Sequence, residues 1–522
     1  MAVAPHALAA QAALAILREG GNAIEAMVAA AATIAVVYPH MNSIGGDAFW
    51  LIHVPGAPPR AIDACGAAAA AATPAFYRER GLASIPFRGG SAANTVAGTV
   101  SGWELALEFS RQSLGGRMPL SRLFADAIGH ARGGISVTRS QNATTTSKLE
   151  GLKEQPGFAD TCLVDGAAPA VGSRFRNPRL AATFEQLARN GLADFYRGEL
   201  AASIARDLAA VGSPVAAHDL AEHRALWRTP LALRHSLGML HNTAPPTQGV
   251  VSLLILGILD ELGIGRVDPR GAQYVHLCVE AVKQAFGVRD RHVTDPAYMQ
   301  VDAQALLAPE RIAELAARVD RAHAAPWGAG RDPADTIWMG VIDGEGRAVS
   351  FIQSLYHEYG SGVVLAASGI NWQNRGCSFS LDPAALNALC PGRKPFHTLN
   401  PALALLDDGR TMVYGNMGGD GQPQTQSAVF TRTAVFGMHP QAAIDAPRWL
   451  LGRTWGQTTD TLKLEARFPA AVIDELARLG HDVEVVADYD EVVGHAGAIV
   501  RDRDGMLEGG FDPRSDGGVA SF

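Results

Sequence analysis

No C-x-x-C pair and no run of basic residues occur in this 522-residue chain. The five cysteines, Cys65, Cys162, Cys278, Cys377 and Cys390, are odd in number and far apart, which excludes a disulfide framework or a cysteine zinc site and points to a reducing, cytoplasmic setting. Lys+Arg total 44 against 52 Asp+Glu, a formal net charge of −8, so the clustered cations that phosphate contacts require are missing and a nucleic-acid partner is not expected. Long hydrophobic runs are missing too. The longest early one, Ala26 to Tyr38, is too short to span a bilayer, and Arg18, Glu19 and Gly20 interrupt the N-terminal apolar stretch in a way a signal peptide would not. The chain also lacks G-x-S-x-G, the phosphate-loop pattern and H-E-x-x-H. Gly415 to Gly421 has no βαβ context for a dinucleotide, and the 16 histidines show no ligand spacing, so no metal and no cofactor are expected.

What is present is an ordinary globular composition, 48% hydrophobic and 18% charged, sufficient for a large core. Helical spacing predicts helices over Ala7 to Arg18 and, capped by Asn22, over Ala23 to Val37. Strand-like runs at Ala48 to Val54 and Arg60 to Ala64 read as a hairpin. From about Thr95 to Ala325 the pattern is mostly helical with polar loops: Leu120 to Ala131, Arg179 to Asn190, Leu200 to Val211, Gly249 to Leu262 and Ala272 to Arg289. Residues 323 to 335 read as a flexible polar stretch. Strands resume at Thr336 to Asp343 and Arg347 to Leu355, joined by a glycine turn, and again at Ala402 to Leu406, Thr411 to Gly415 and Ala498 to Arg501. Helices are predicted over Thr425 to Phe436 and Pro469 to Leu479. Helices between two sets of strands predict a layered α+β sandwich.

Three stretches in order carry a more specific signal. They are Leu17 to Ala26 running into Ile44-Gly45-Gly46-Asp47-Ala48-Phe49; Asp335-Thr336 with Val341-Ile342-Asp343, Tyr359-Gly360-Ser361-Gly362 and Ser368-Gly369-Ile370; and Gly418-Gly419 followed by Asp512-Pro513-Arg514. Together they resemble the γ-glutamyltransferase family of N-terminal nucleophile hydrolases over essentially the whole chain. The resemblance implies a four-layer αββα sandwich made as a precursor that cuts itself between Asp335 and Thr336. A large chain, 1–335, and a small chain, 336–522, would then form one intertwined domain, with a dimer of such pairs left open.

The implied chemistry uses one residue twice. A threonine hydroxyl needs an adjacent base, and the α-amine of Thr336, freed by cleavage with a pKa near 8, supplies it. The resemblance places Ser354 as a hydroxyl bonded to the nucleophile. It also assigns the N–H groups of Gly418 and Gly419 to an oxyanion hole, an effect of roughly 3 kcal/mol per donor.

Departures from the family pattern bear on the substrate. The arginine that grips the glutamyl α-carboxylate is replaced within Ile62-Asp63-Ala64-Cys65-Gly66, and the paired serines give way to Phe396-His397-Thr398-Leu399. Positions that meet the α-amino group hold Tyr356, Arg375 and Ser378. Losing the acid removes the counter-charge for an ammonium, and Arg375 adds a planar cation suited to a carboxylate. A small carboxylate-bearing amide is therefore expected, with Asn42, Tyr356, His397 and Thr398 as pocket walls. Met1 to His6 and Val36 to Asn42 resemble family members that act on oxamate, which makes hydrolysis of oxamate to oxalate and ammonia the specific expectation. The alternatives are a γ-glutamyl hydrolase or transferase acting on glutathione, an acylase removing a dicarboxylic side chain such as glutaryl, and a non-catalytic binding protein on the same fold.

Overall fold

The computed structural model describes residues 1–328, 335–453 and 459–522. Residues 329–334, inside the stretch expected to be flexible, lie outside the described residues. Two antiparallel sheets organise the chain. The first runs Gly518–Ala520, Ala2–Ala4, Asp335–Ile342, Ala348–Tyr356, Asp47–His53, Arg60–Ala64, Leu226–Arg228. The second runs Leu507–Phe511, Ala496–Arg501, Thr411–Asn416, Ala402–Leu406, Gly238–Asn242, Leu231–His235. Each sheet combines strands from both sides of the Asp335–Thr336 bond.

Alternation along the strands separates three cores. On Asp335–Ile342, Trp338 and Ile342 face the second sheet and pack with Phe49, Leu51, Leu403, Val413 and Ile499. Ile337, Met339 and Val341 face the other way, into the helices Ala7–Arg18 and Ala23–Val37. The outer face of the second sheet, including Leu240, Ala404, Met412 and Ala498, packs against Gly249–Glu261 and Ala272–His292. The result is helix, sheet, sheet, helix, the αββα sandwich. Both Gly249–Glu261 and Ala23–Val37 are apolar on all sides because each is covered on all sides. The sheets approach closely at one point, where the Trp338 indole lies against Gly415: a Cβ there would sit 2.0 Å from Trp338 Cδ1.

The N-terminal helices and the hairpins form where the sequence predicts them; Asn22 closes a capping box with Glu25. Differences have local causes. Leu120 to Ala131 is two pieces, Leu120–Leu123 and Ala125–Gly133, meeting at Phe124. The helix expected from Thr425 begins at Gly421, and its last turn, Thr431–Val435, widens to π geometry. Five strands fall inside the region read as helix and loop: the two-residue pair Ile135–Ser136 and Arg174–Phe175, and Leu226–Arg228, Leu231–His235 and Gly238–Asn242. All are short and mix apolar with polar residues, so periodicity alone does not separate strand from loop. The start of the 323–335 stretch is also fastened, not loose: Ala324 N–H donates to Leu479 O at 2.7 Å, and Trp327 packs on Phe286. Among the described residues no helix is long and apolar enough to cross a membrane.

Candidate active site

Thr336 stands at the start of a central strand, fully buried, on the face turned toward the second sheet. Its Oγ1 donates to Ser354 Oγ at 3.1 Å, and the Tyr356 N–H donates to the same oxygen at 2.9 Å. The backbone explains this convergence. Pairing runs Gln353↔Ile337 and then jumps to Tyr356↔Asp335, so Ser354 and Leu355 together oppose the single residue Thr336. Such a bulge re-aims side chains locally. It leaves Tyr356 at φ 85°, a left-handed conformation costing a non-glycine residue about 1–3 kcal/mol. In the intact chain the nitrogen of Thr336 is a peptide N–H; only cleavage before it turns that atom into a base.

Gly418 (φ 115°) and Gly419 (φ 52°) form the turn between the strand Thr411–Asn416 and the helix Gly421–Phe430. These angles need glycine, and they leave both N–H groups without a protein acceptor among the described residues. A glycine turn at a helix N-terminus concentrates positive potential, which suits a developing oxyanion. Gln248 fixes it: Nε2 donates to Gly419 O at 3.0 Å and to Thr398 O at 2.9 Å. Arg289, fully buried, holds Asp420 at 2.8 Å immediately after the pair.

Arg375 is 1% exposed. Its guanidinium lies 3.8 Å from the centre of the Tyr356 ring, and its nitrogens reach Phe396 O and Thr398 Oγ1 only at 3.5 Å. Among the described residues no carboxylate is within ion-pair distance of it. Burial pulls its pKa down, with Tyr356 and Asp47 pulling the other way. A buried cation with weak partners is costly unless an anion completes it. Tyr356, Ser378, Phe396 and Thr398 line a cavity of about 720 Å³, together with Phe87, Asp382 and Asp420.

Two of the expected pocket walls are elsewhere. Asn42 is fully buried, its Nδ2 donating to Ile34 O and Tyr38 O and its Oδ1 accepting from Gln353; it closes the end of the helix Ala23–Val37. His397 turns inward, 5.0 Å from the Phe49 ring, with Nε2 at 3.3 Å from Asp47 Oδ2. In an extended segment neighbouring side chains point to opposite sides, so Thr398 on the cavity puts His397 beneath it. Asp512 and Arg514 form a buried network with Arg448 and Glu465 that ties separate chain segments together. Neither Gln248 nor Asp47 is marked as a site residue by its sequence context. Asp47 lies inside the quoted Gly45-Gly46-Asp47 motif, whereas Gln248 carries no signal at all.

One cluster among the described residues has ligand atoms close enough to hold a metal ion: His276, Glu280 and His481, within 4.8 Å of one another. Spacing along the chain does not reveal it, because His481 comes from a distant segment. Each member is already partnered, His276 Nδ1 with His481 Nε2 at 2.8 Å and Glu280 with Lys283 at 2.7 Å.

The family model described as gamma-glutamyltranspeptidase matches residues 9–522. The oxamate amidohydrolase proenzyme of Klebsiella pneumoniae is 61% identical over 100% of this chain and 98% of its own length. The glutathione hydrolase-like YwrD proenzyme of Bacillus subtilis is 40% identical, again over 100% of this chain and 98% of its own. A crystal structure of cephalosporin acylase from Bacillus halodurans superposes with a TM-score of 0.90 at 34% identity, covering 100% of this chain and 95% of that one. A whole-chain match to the family, a shared αββα architecture and relatives that are hydrolases made as proenzymes agree: this chain belongs to the gamma-glutamyltranspeptidase family.

Proposed function

We propose that this protein is a self-processing threonine amidohydrolase that cleaves a small amide bearing a carboxylate next to the scissile carbonyl, with oxamate as the substrate. The observation that carries the substrate reading is Arg375: a buried guanidinium, stacked on Tyr356 beside the nucleophile's own hydrogen-bond network, with no carboxylate among the described residues within ion-pair distance. The 61% identity to an oxamate amidohydrolase proenzyme supports the same choice.

Cleavage between Asp335 and Thr336 frees the α-amine, which takes the proton from Oγ1 directly or through a water. The alkoxide attacks the amide carbonyl while Arg375 holds the neighbouring carboxylate by charge-assisted hydrogen bonds. The tetrahedral oxyanion is received by the N–H groups of Gly418 and Gly419. Collapse, with the α-ammonium protonating the leaving nitrogen, releases ammonia and leaves an ester on Thr336. Water, deprotonated by the same amine, hydrolyses the ester to oxalate and restores the hydroxyl. Ser354 holds the Oγ1 rotamer through its hydrogen bond, and residues 1–335 and 336–522 remain associated because their strands share both sheets.

The test is ammonia release from oxamate by purified, two-chain protein, with γ-glutamyl-p-nitroanilide and glutaryl amides assayed in parallel. Turnover of oxamate with neither comparison substrate cleaved is the expected result. Turnover of the glutamyl or glutaryl compounds in its place would transfer the protein to the glutathione hydrolases or the acylases.

A further inference from the structure

Thr336, Ser354 and Asp47 occupy one row across three adjacent strands: Thr336 bonds Ser354, and Ser354 is the cross-strand partner of Asp47. Neighbours paired this way have side chains about 5 Å apart on one face. Asp47 is fully buried and divides its two oxygens unequally. Oδ1 accepts from Gly66 N–H, Gly98 N–H and Gln373 Nε2, at 3.0, 3.0 and 3.1 Å. Oδ2 has no hydrogen-bond partner and faces His397 Nε2 at 3.3 Å, and both ring nitrogens of His397 also lack partners among the described residues. Arg375 reaches Phe396 O and Thr398 Oγ1, the groups on either side of His397.

We infer that Asp47 and His397 are a proton-holding pair that sets the charge of the anion pocket around Arg375: with the proton in place the pocket is cationic and takes an anionic amide, and without it the pocket is neutral. Asp47 and His397 are thus positioning residues for the substrate carboxylate. The inference rests on the reading of Arg375 as the carboxylate's partner.

The geometry gives the proton one home. A protonated Oδ2 donates to Nε2, which relieves two orphaned buried atoms at once, and the imidazole then carries its hydrogen on Nδ1. Burial raises Asp47 to about 7 against the three hydrogen bonds and Arg375 that favour its charged form. His397 is held well below its ordinary value by burial and by Arg375 and Lys394. Other titratable groups facing the pair are Cys65, pushed up by burial and by Asp63, and Tyr196, also pushed up by burial; Lys394 is engaged by Asp63 at 2.5 Å. Neither neighbour offers a second proton near neutrality.

Infrared titration of the purified protein reads the pair without any substrate. A protonated-carboxyl band that disappears with a midpoint near pH 7, is missing in Asp47→Asn and shifts in midpoint in His397→Gln is expected; the second variant also separates Asp47 from Glu491, another buried acid raised to about 7. A band unchanged in both variants overturns the inference. The functional arm is KM for oxamate, expected to rise about tenfold per pH unit above the midpoint while kcat moves little, and to be flat in Asp47→Asn. A KM in the native protein that ignores the midpoint overturns it as well. If oxamate is not turned over at any pH, the substrate reading fails by itself, and the infrared arm still decides the pair.

Discussion

Replacing Arg375 by leucine isolates the group on which the substrate reading depends. The side chain is buried, no carboxylate among the described residues pairs with it, and its main contact with them is the stack on Tyr356 at 3.8 Å. A cation over an aromatic face contributes about 1–2 kcal/mol when desolvated, so the variant should fold and process with a modest loss of stability. The substrate loses more. Hydrogen bonds to a charged group are worth about 1.5–3 kcal/mol each, and a carboxylate buried without its counter-charge costs about 3–5 kcal/mol. Binding through bulk water and partial entry of solvent recover part of that, leaving roughly 2–4 kcal/mol, or about 30- to 1,000-fold in kcat/KM. The assay is ammonia release from oxamate, with an uncharged amide of similar size measured alongside. The loss should be confined to the anionic substrate. Equal losses on both, or a kcat/KM for oxamate within about threefold of native, would refute Arg375 as the carboxylate's partner.

Thr336→Ala should remain a single unprocessed chain without amidase activity on denaturing electrophoresis; two chains from that variant would move the nucleophile elsewhere. Ser354→Ala removes the acceptor shared by Thr336 Oγ1 and Tyr356 N–H and should lower kcat by about 10- to 100-fold, with KM little changed, in steady-state kinetics. Gly415→Ala forces a methyl group to within 2.0 Å of the Trp338 ring, which must shift within a packed core, and should destabilise the fold by about 1–3 kcal/mol in denaturant titration. Asp47 is an acid whose folded pKa, about 7, lies above its unfolded value near 3.9, so the folded state binds the extra proton between those limits. Its stabilising contribution is complete below about pH 4 and is lost as pH rises toward 7. The Tm of the native protein should therefore fall more steeply over that window than the Tm of Asp47→Asn.

The legible parts of the fold were those whose signal is local. Asn22 with Glu25 marks a helix start, Pro39 and Gly20-Gly21 mark stops, and the turn at Gly344 to Gly346 joins two runs of strand-formers; each depends on residues within one or two turns of chain. The strands between Leu226 and Asn242 are not legible because short mixed runs do not declare themselves; Leu226–Arg228 and Gly238–Asn242 find partners more than 150 residues away, in Arg60–Ala64 and Ala402–Leu406, and Leu231–His235 pairs only with its neighbour Gly238–Asn242. The site divides in the same way. Ordered motifs point to Thr336, Ser354, Gly418, Gly419, Arg375, Tyr356 and Thr398, and the structure brings Thr336, Ser354 and Tyr356 into one hydrogen-bond network, with Arg375 stacked behind Tyr356 and Thr398 and Tyr356 lining the cavity. Asn42 and His397 were expected on that cavity and are not there, because a motif records that a polar residue is present but not which way it faces.

By itself the sequence determined the order of elements along most of the chain, the family, the candidate nucleophile and the chemical type of the pocket, since all of these are written in spacing, glycine placement and the exchange of an acid for an arginine. Only the tertiary structure decided which buried charges meet. Asp47, His397 and Arg375 come from three separated segments, and their relation depends on how two sheets stack around Trp338. That stacking also sets the local dielectric, the surviving hydrogen-bond partners and hence the proton positions, none of which has a local signature in the chain.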